Sequence, residues 1–259
     1  MKNIWISALS ENQPRVAAVT AVLKQYGLNC QGHFWTDAPE KMSWRAAMTG
    51  LQDAKADLWL VLADDAGMAK PGVRYALSLM AASLRQAKGA GFQIVLLWNS
   101  PAPAADKLPP LLQTATVVEE AAASWSAKIV ARANMPGKAA TPDYRLDIQG
   151  DERLGQWFEI GPREGSWPGV VLGVSGEGAE INFQAVGPKG RLPEKTTLEY
   201  AQQGLKIQAG SREFTAWAVR NQVDSDASYF ARVKGCPEAI LFMPYADDSD
   251  VSATVLGLQ

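Results

Sequence analysis

The stretch SWRAAMTGLQDAKADLWLVLADD, Ser43 to Asp65, constrains the fold more than any other segment. Its first half spaces apolar residues as an amphipathic helix does, and Ser43 is placed to cap a helix from Trp44 to about Ala56. Its second half, Asp57 to Ala63, holds the run LWLVLA, which is too uniformly apolar to leave one face in water. A strand of that kind is covered on both sides, as in a parallel sheet with helices on each face. Asp64 and Asp65 follow it directly, and in an open α/β sheet the C-terminal ends of the strands border the ligand crevice.

The flanking sequence continues the alternation. Ile4 to Ala8 is an apolar strand followed by the loop Leu9 to Gln13, and Pro14 suits the first turn of a helix running to about Tyr26. Val16, Val19, Val22 and Leu23 put an apolar stripe on that helix, and Gly27 is placed to end it. Leu28 to Trp35 is a second strand. Gly72 to about Lys88 reads as a helix with Tyr75, Leu79 and Ala82 on one side, ended by the glycines of KGAG, and Phe92 to Trp98 as another buried strand. The four prolines of NSPAPAADKLPP, residues 99 to 110, force a loop. Thr114 to Val118 is a short fifth strand and Glu119 to Ala133 a last helix. Residues 1–134 therefore predict a doubly wound, five-stranded parallel sheet with right-handed crossovers.

The pattern changes after Asn134. Residues 135–143, MPGKAATPD, read as a linker, and residues 144–259 as a second domain of short strands between turn signals: YRLDIQ, QWFEIG, GVVLGVSG, EINFQAVG, GLKIQAG, EFTAWAV, ASYFARV, EAILFMPY and VSATVLGL. Glu180 to Val186 alternates like a strand with one wet face. This half predicts an antiparallel β-sandwich or barrel. SGEGAE, with Gly176 and Gly178, reads as a hairpin turn and not a phosphate loop, since strands flank it and no helix follows.

Charge and composition exclude several classes of function. Lys+Arg 25 against Asp+Glu 27, with no long basic run, offers nothing to a nucleic acid. No run approaches a membrane span and the N-terminus lacks the core of a signal peptide, so a cytoplasmic protein is expected. Cys30 and Cys236 form neither a disulfide framework nor a ligand cluster, and both read as reduced and structural. The one histidine, His33, has no cysteine or acidic partner at metal-ligand spacing, so no metal is expected. Cys30, three residues away on the same strand, points to the opposite face. Trp5, Trp59 and Trp98 fall inside strands and read as core.

Together, NIWISALSEN at residues 3–12, GHFWTD at 32–37 and the stretch from Ser43 to Asp65 resemble Toll/interleukin-1 receptor (TIR) domains and the related nucleoside 2-deoxyribosyltransferases. The resemblance covers the first half of the chain. It implies a flavodoxin-like sheet, with NAD or a related nucleotide as the candidate ligand. In the enzymatic members a glutamate on the helix after the third strand serves the N-glycosidic bond. In VRYALSL, residues 73–79, Ala76 stands at about that place. The loop TDAPEKMS corresponds to the loop through which TIR domains contact one another, which points to a homo-oligomer or a protein partner, and Trp44 matches a tryptophan common at the start of the following helix.

These residues define the candidate site. Ser7, Glu11 and Asn12 on and after the first strand, Asp64 and Asp65 after the third, Trp44, and Arg74 form the expected ligand-binding set. Asp64 and Asp65 are the candidates for catalysis, because a carboxylate near the ribose holds its hydroxyls and stabilises oxocarbenium character. Arg74 is placed to reach a phosphate or to pair with either aspartate, the pair being the expected role. The absent acid at Ala76 favours a degenerate TIR-like binding or assembly protein with a β-rich recognition domain. The alternative is an NAD or nucleoside N-glycosidic hydrolase or transferase using Asp64 or Asp65, and a purely structural role is a third reading.

Overall fold

The computed structural model describes residues 1–135, 137, 142–246 and 251–259. They fall into two compact units, Met1–Pro39 with Ser43–Ala140 and Glu40–Met42 with Thr141–Gln259. Of the expected linker, residues 136 and 138–141 lie outside the described residues.

In the first unit the order is β1 (Lys2–Ala8), α1 (Gln13–Gln25), β2 (Leu28–Phe34), α2 (Trp44–Asp53), β3 (Leu58–Ala63), α3 (Asp65–Met68), α4 (Pro71–Lys88), β4 (Gln93–Trp98), β5 (Thr116–Glu119) and α5 (Trp125–Asn134). The strands form one parallel sheet in the order β2-β1-β3-β4-β5, the flavodoxin-like order, with its switch point between β1 and β3. One face packs Ile4, Ile6, Leu58, Leu60, Leu62, Val95 and Leu97 against Val19 and Leu23 of α1 and Ile129 of α5. Cys30 joins this face, opposite to His33. The alternate residues of the central strands, among them Trp5, Ser7 and Trp59, are buried too. All six residues of β3 are inside, as LWLVLA required. Helix α2 approaches the sheet at Gly50, where an added Cβ would lie 2.4 Å from the ring of Trp5. A mid-helix glycine costs about 1 kcal/mol of propensity, and here it admits an indole.

Four local expectations need correction. Ser43 does not cap α2; it has helical backbone angles, and its hydroxyl donates to the carbonyl of Thr36 at 2.7 Å. The helix expected from Glu119 starts only at Trp125, because Glu119 completes β5, which pairs it with Trp98, and turns follow. The one-turn helix α3 was hidden in what reads as a loop. SGEGAE is a turn but not a hairpin, since the strands it joins belong to different sheets.

Those sheets make up the second unit: β6 (Tyr144–Asp151), β7 (Gly155–Pro162), β8 (Ser166–Trp167), β9 (Val170–Ser175), β10 (Glu180–Pro188), β11 (Gln202–Ala209), β12 (Arg212–Val219), β13 (Val223–Asp224), β14 (Ala227–Lys234), β15 (Ala239–Pro244) and β16 (Thr254–Gly257). A four-stranded antiparallel sheet, β10-β14-β7-β6, and a five-stranded one, β11-β12-β9-β15-β16, are joined by a small β8-β13 pair. Phe158, Ile160, Leu172, Phe230 and Phe242 are fully buried or nearly so. The alternation expected over Glu180 to Val186 is broken by a β-bulge between Ile181 and Phe183, which leaves Phe183 46% exposed and turns Gln184 inward to accept from Tyr229 Oη at 2.8 Å. No helix among the described residues is long and apolar enough to cross a membrane.

Candidate functional site

The C-terminal edge of the parallel sheet gathers the polar groups that follow β1, β3, β4 and β5. Asp64 is buried, and as N-cap of α3 its Oδ1 accepts from the backbone N–H of Gly67 at 2.7 Å while Oδ2 accepts from Ser10 Oγ at 2.8 Å. Gly67 is required, since a Cβ there would meet Cβ of Leu9 at 2.7 Å. Asp65 accepts from Trp98 Nε1 at 2.8 Å and from Ser100 Oγ at 3.1 Å, which ties the end of β3 to that of β4. Both carboxylates offered as catalytic are thus holding loops. Asp64→Ala is expected to lower stability by about 1–2 kcal/mol, the usual worth of such a cap, as measured by urea unfolding.

The remaining expected residues divide sharply. Asn12 caps α1, its Oδ1 accepting from the N–H of Arg15 at 3.0 Å, and Glu11 beside it is exposed. Arg74 is half-buried on α4 and pairs with neither aspartate, correcting that expectation: their oxygens are already engaged from the strand ends. Ser7, one residue before the end of β1, does not open onto the edge. It is fully buried, and its hydroxyl lies 2.8 Å from His33 Nε2 and accepts from Trp59 Nε1 at 2.9 Å. Burial holds the His33 imidazole below its ordinary pKa, opposed in part by a backbone hydrogen bond at Phe34.

Sequence reasoning missed Arg15. Its side chain is 8% exposed; Nε donates to Glu120 at 2.8 Å, and the terminal nitrogen donates to the carbonyls of Ala63 at 3.1 Å and Leu97 at 3.0 Å. One guanidinium closes the ends of β3 and β4. The signal was thin: an arginine in the first turn of α1, where helix dipoles disfavour cations, argues for a partner ahead of the helix. The strand ends carry Glu11, Asp64, Asp65, Glu119 and Glu120, and Arg15 pairs with Glu120 alone among them, so the edge is better suited to hydroxyl groups than to phosphates.

Trp44 belongs to a different place. With Trp5, His33, Trp35, Thr36 and Ala47 it lines a cavity of about 190 Å³ on the α2 side of β1 and β2. Trp5 stacks on His33 with centroids 5.8 Å apart, and His33 meets Trp35 at 5.7 Å. Among the described residues no group of three or more His, Cys, Asp or Glu is arranged to hold a metal ion.

No family model matches the chain, and no curated protein does. Among solved structures it is similar to an orphan response regulator of H. pylori, at 14% identity over 51% of this chain and 97% of that one, with a TM-score of 0.33. It is also similar to a two-domain esterase active on acetylated mannans, at 7% identity over 99% of this chain and 90% of that one, with a TM-score of 0.36. Scores of that size carry no argument about function, and the flavodoxin-like fold of the first domain rests on its own strand order.

Proposed function

We propose that this chain is a binding and assembly protein, built on a TIR-like domain that lacks the family's N-glycosidic chemistry. The observation that carries the reading is the state of the acids. Asp64 and Asp65 are held by Ser10, Gly67, Trp98 and Ser100, and α4 offers Ala76, 1% exposed, where a catalytic glutamate would stand. A carboxylate that already accepts two hydrogen bonds on fixed loops is poorly placed to follow a ribose through bond cleavage. The ligand that suits the edge is the nucleoside part of a nucleotide, its hydroxyls donating to the exposed Glu11.

The β-rich domain would recognise a partner. Its four-stranded sheet presents Phe183 and Trp157 with centroids 5.7 Å apart and the Arg232 guanidinium 5.7 Å from each ring. Aromatic residues and arginine are the types enriched at protein interfaces. The test is calorimetric titration with NAD, ADP-ribose and nucleosides, followed by chromatography of the same mixtures. Saturable binding with no free nicotinamide or base is the expected outcome; release that Asp64→Ala abolishes would replace this reading with the hydrolase one.

A further inference from the structure

We infer that the exposed face of the four-stranded sheet binds a partner protein through an acidic side chain, its carboxylate seated on Arg232 and the apolar residues beside it on Trp157 and Phe183. This gives the partner proposed above a chemistry, and it rests on that reading. The ladder sets the three residues in one row: Phe183 of β10 pairs with Arg232 of β14, and Arg232 with Trp157 of β7. Directly paired residues share a face, so strand register alone brings them together. The guanidinium carbon and the two ring centroids form a triangle 5.7 Å on each side, with the rings inclined at 67°.

The guanidinium is held in place but not satisfied. Its Nε donates to Asn182 Oδ1 at 2.8 Å, which fixes the plane of the group. Nη1 and Nη2 have no acceptor among the described residues and are not buried, so the outer edge of the fork is open to solvent. That edge matches a carboxylate, which accepts two parallel hydrogen bonds from it. The neighbouring charges do not compete. Lys234, two residues along the same face, is matched by Glu180 at 3.4 Å. Glu159 is 4% exposed, accepts from Gln149 and from the N–H of Gly190, and acts on Arg145. One uncompensated guanidinium calls for one negative charge, which a carboxylate brings and a phosphate dianion exceeds.

The surroundings decide where that carboxylate comes from. A chain terminus is captured by a nest of backbone N–H groups, and here the backbone of β7, β10 and β14 is committed to its ladder. An acidic side chain needs only the fork and a place for its apolar neighbours. Phe183 is 46% exposed and Leu154, whose carbonyl accepts from Trp157 Nε1 at 3.0 Å, is 52% exposed, so apolar surface lies at both ends of the row. Covering it takes water from the ion pair and strengthens it.

The test is an NMR titration of the 15N-labelled full chain, read at the Nε–H of Arg232 and the indole N–H of Trp157. The probes are acetyl-Ala-Leu-Glu-Leu-Ala-amide, the same amide with glutamine for glutamate, and the glutamine peptide with a free C-terminal carboxylate. The glutamate amide should shift both signals saturably and bind about ten-fold tighter than the glutamine amide, as a charge-assisted pair predicts. Arg232→Lys keeps the charge without the fork and should cut that preference to about three-fold or less, and Arg232→Gln should remove it. Saturable shifts with equal affinity for the two amides overturn the carboxylate and leave the face as a partner surface. Tighter binding of the free-carboxylate peptide than of the glutamate amide overturns the side-chain source. No shift from any of the three overturns the partner role of this face together with the inference, and leaves the titration at the sheet edge untouched.

Discussion

Replacing Arg15 by methionine is expected to destabilise the α/β domain by about 2–4 kcal/mol, a larger effect than any other single change at the sheet edge. The side chain is nearly buried, and its loss strands three acceptors together: the Glu120 carboxylate and the carbonyls of Ala63 and Leu97. Glu120 is 27% exposed in its side chain and regains some hydration, which keeps the figure below that of a fully buried pair. Urea unfolding should show a lower midpoint at unchanged slope. Glu120→Gln should cost less, since an acceptor remains for the guanidinium. A cycle built from Arg15→Met and Glu120→Leu separates the pair from the carbonyls, because the double variant removes the stranded carboxylate and should recover part of the loss. A loss below about 1 kcal/mol in Arg15→Met would mean that the strand ends are held by something else.

The second large effect is a loss of stability on acidification, carried by His33. Burial lowers its pKa in the folded domain, so between the folded and unfolded values the unfolded chain binds more protons. The sign follows directly. The contribution of the neutral ring is fully present above the unfolded value of about 6.5 and is lost as pH falls toward the folded one. The slope cannot exceed about 1.4 kcal/mol per pH unit for one proton. His33 is the chain's single histidine, and Asp57, whose carboxyl is held low against desolvation by the N–H of Asn3 and by Lys2, titrates in a more acidic window. Unfolding free energies measured from pH 7.5 to 5 should therefore fall for the native chain and stay flat for His33→Gln. A native profile as flat as the variant's would show that the imidazole accepts its proton without disturbing Ser7 and its neighbours.

Much of the architecture was legible because hydrophobic period and turn chemistry are local. LWLVLA could only be an inner strand, Pro14 and Gly27 bracket α1, and each of the nine apolar runs after Asn134 is a strand. What the sequence hid depends on which partner arrives. Asp64 and Asp65 look alike on paper, yet one caps a helix and the other receives an indole from β4. Ser7 sits one residue before the end of β1, and side-chain alternation turns it onto the inner face, where Trp59 and His33 claim it. For Arg15 the sequence offered only a cation in the first turn of α1, since its partners lie 48 to 105 residues away. The extreme case is the indole N–H groups of Trp5, Trp35 and Trp44, which are buried with no acceptor among the described residues, something that appears only once those neighbours have been placed.

The bulge in β10 bears on how this chain can vary in length. Asn182 is the supernumerary residue, lying between Ile181 paired with Val233 and Phe183 paired with Arg232, so deleting it would leave a regular strand with its neighbours on their present faces. Its side chain accepts from Arg232 Nε at 2.8 Å. A shorter homologue could thus keep the sheet and still lose the tether that steadies the guanidinium between Trp157 and Phe183, so an indel of a single codon would alter recognition while sparing the fold.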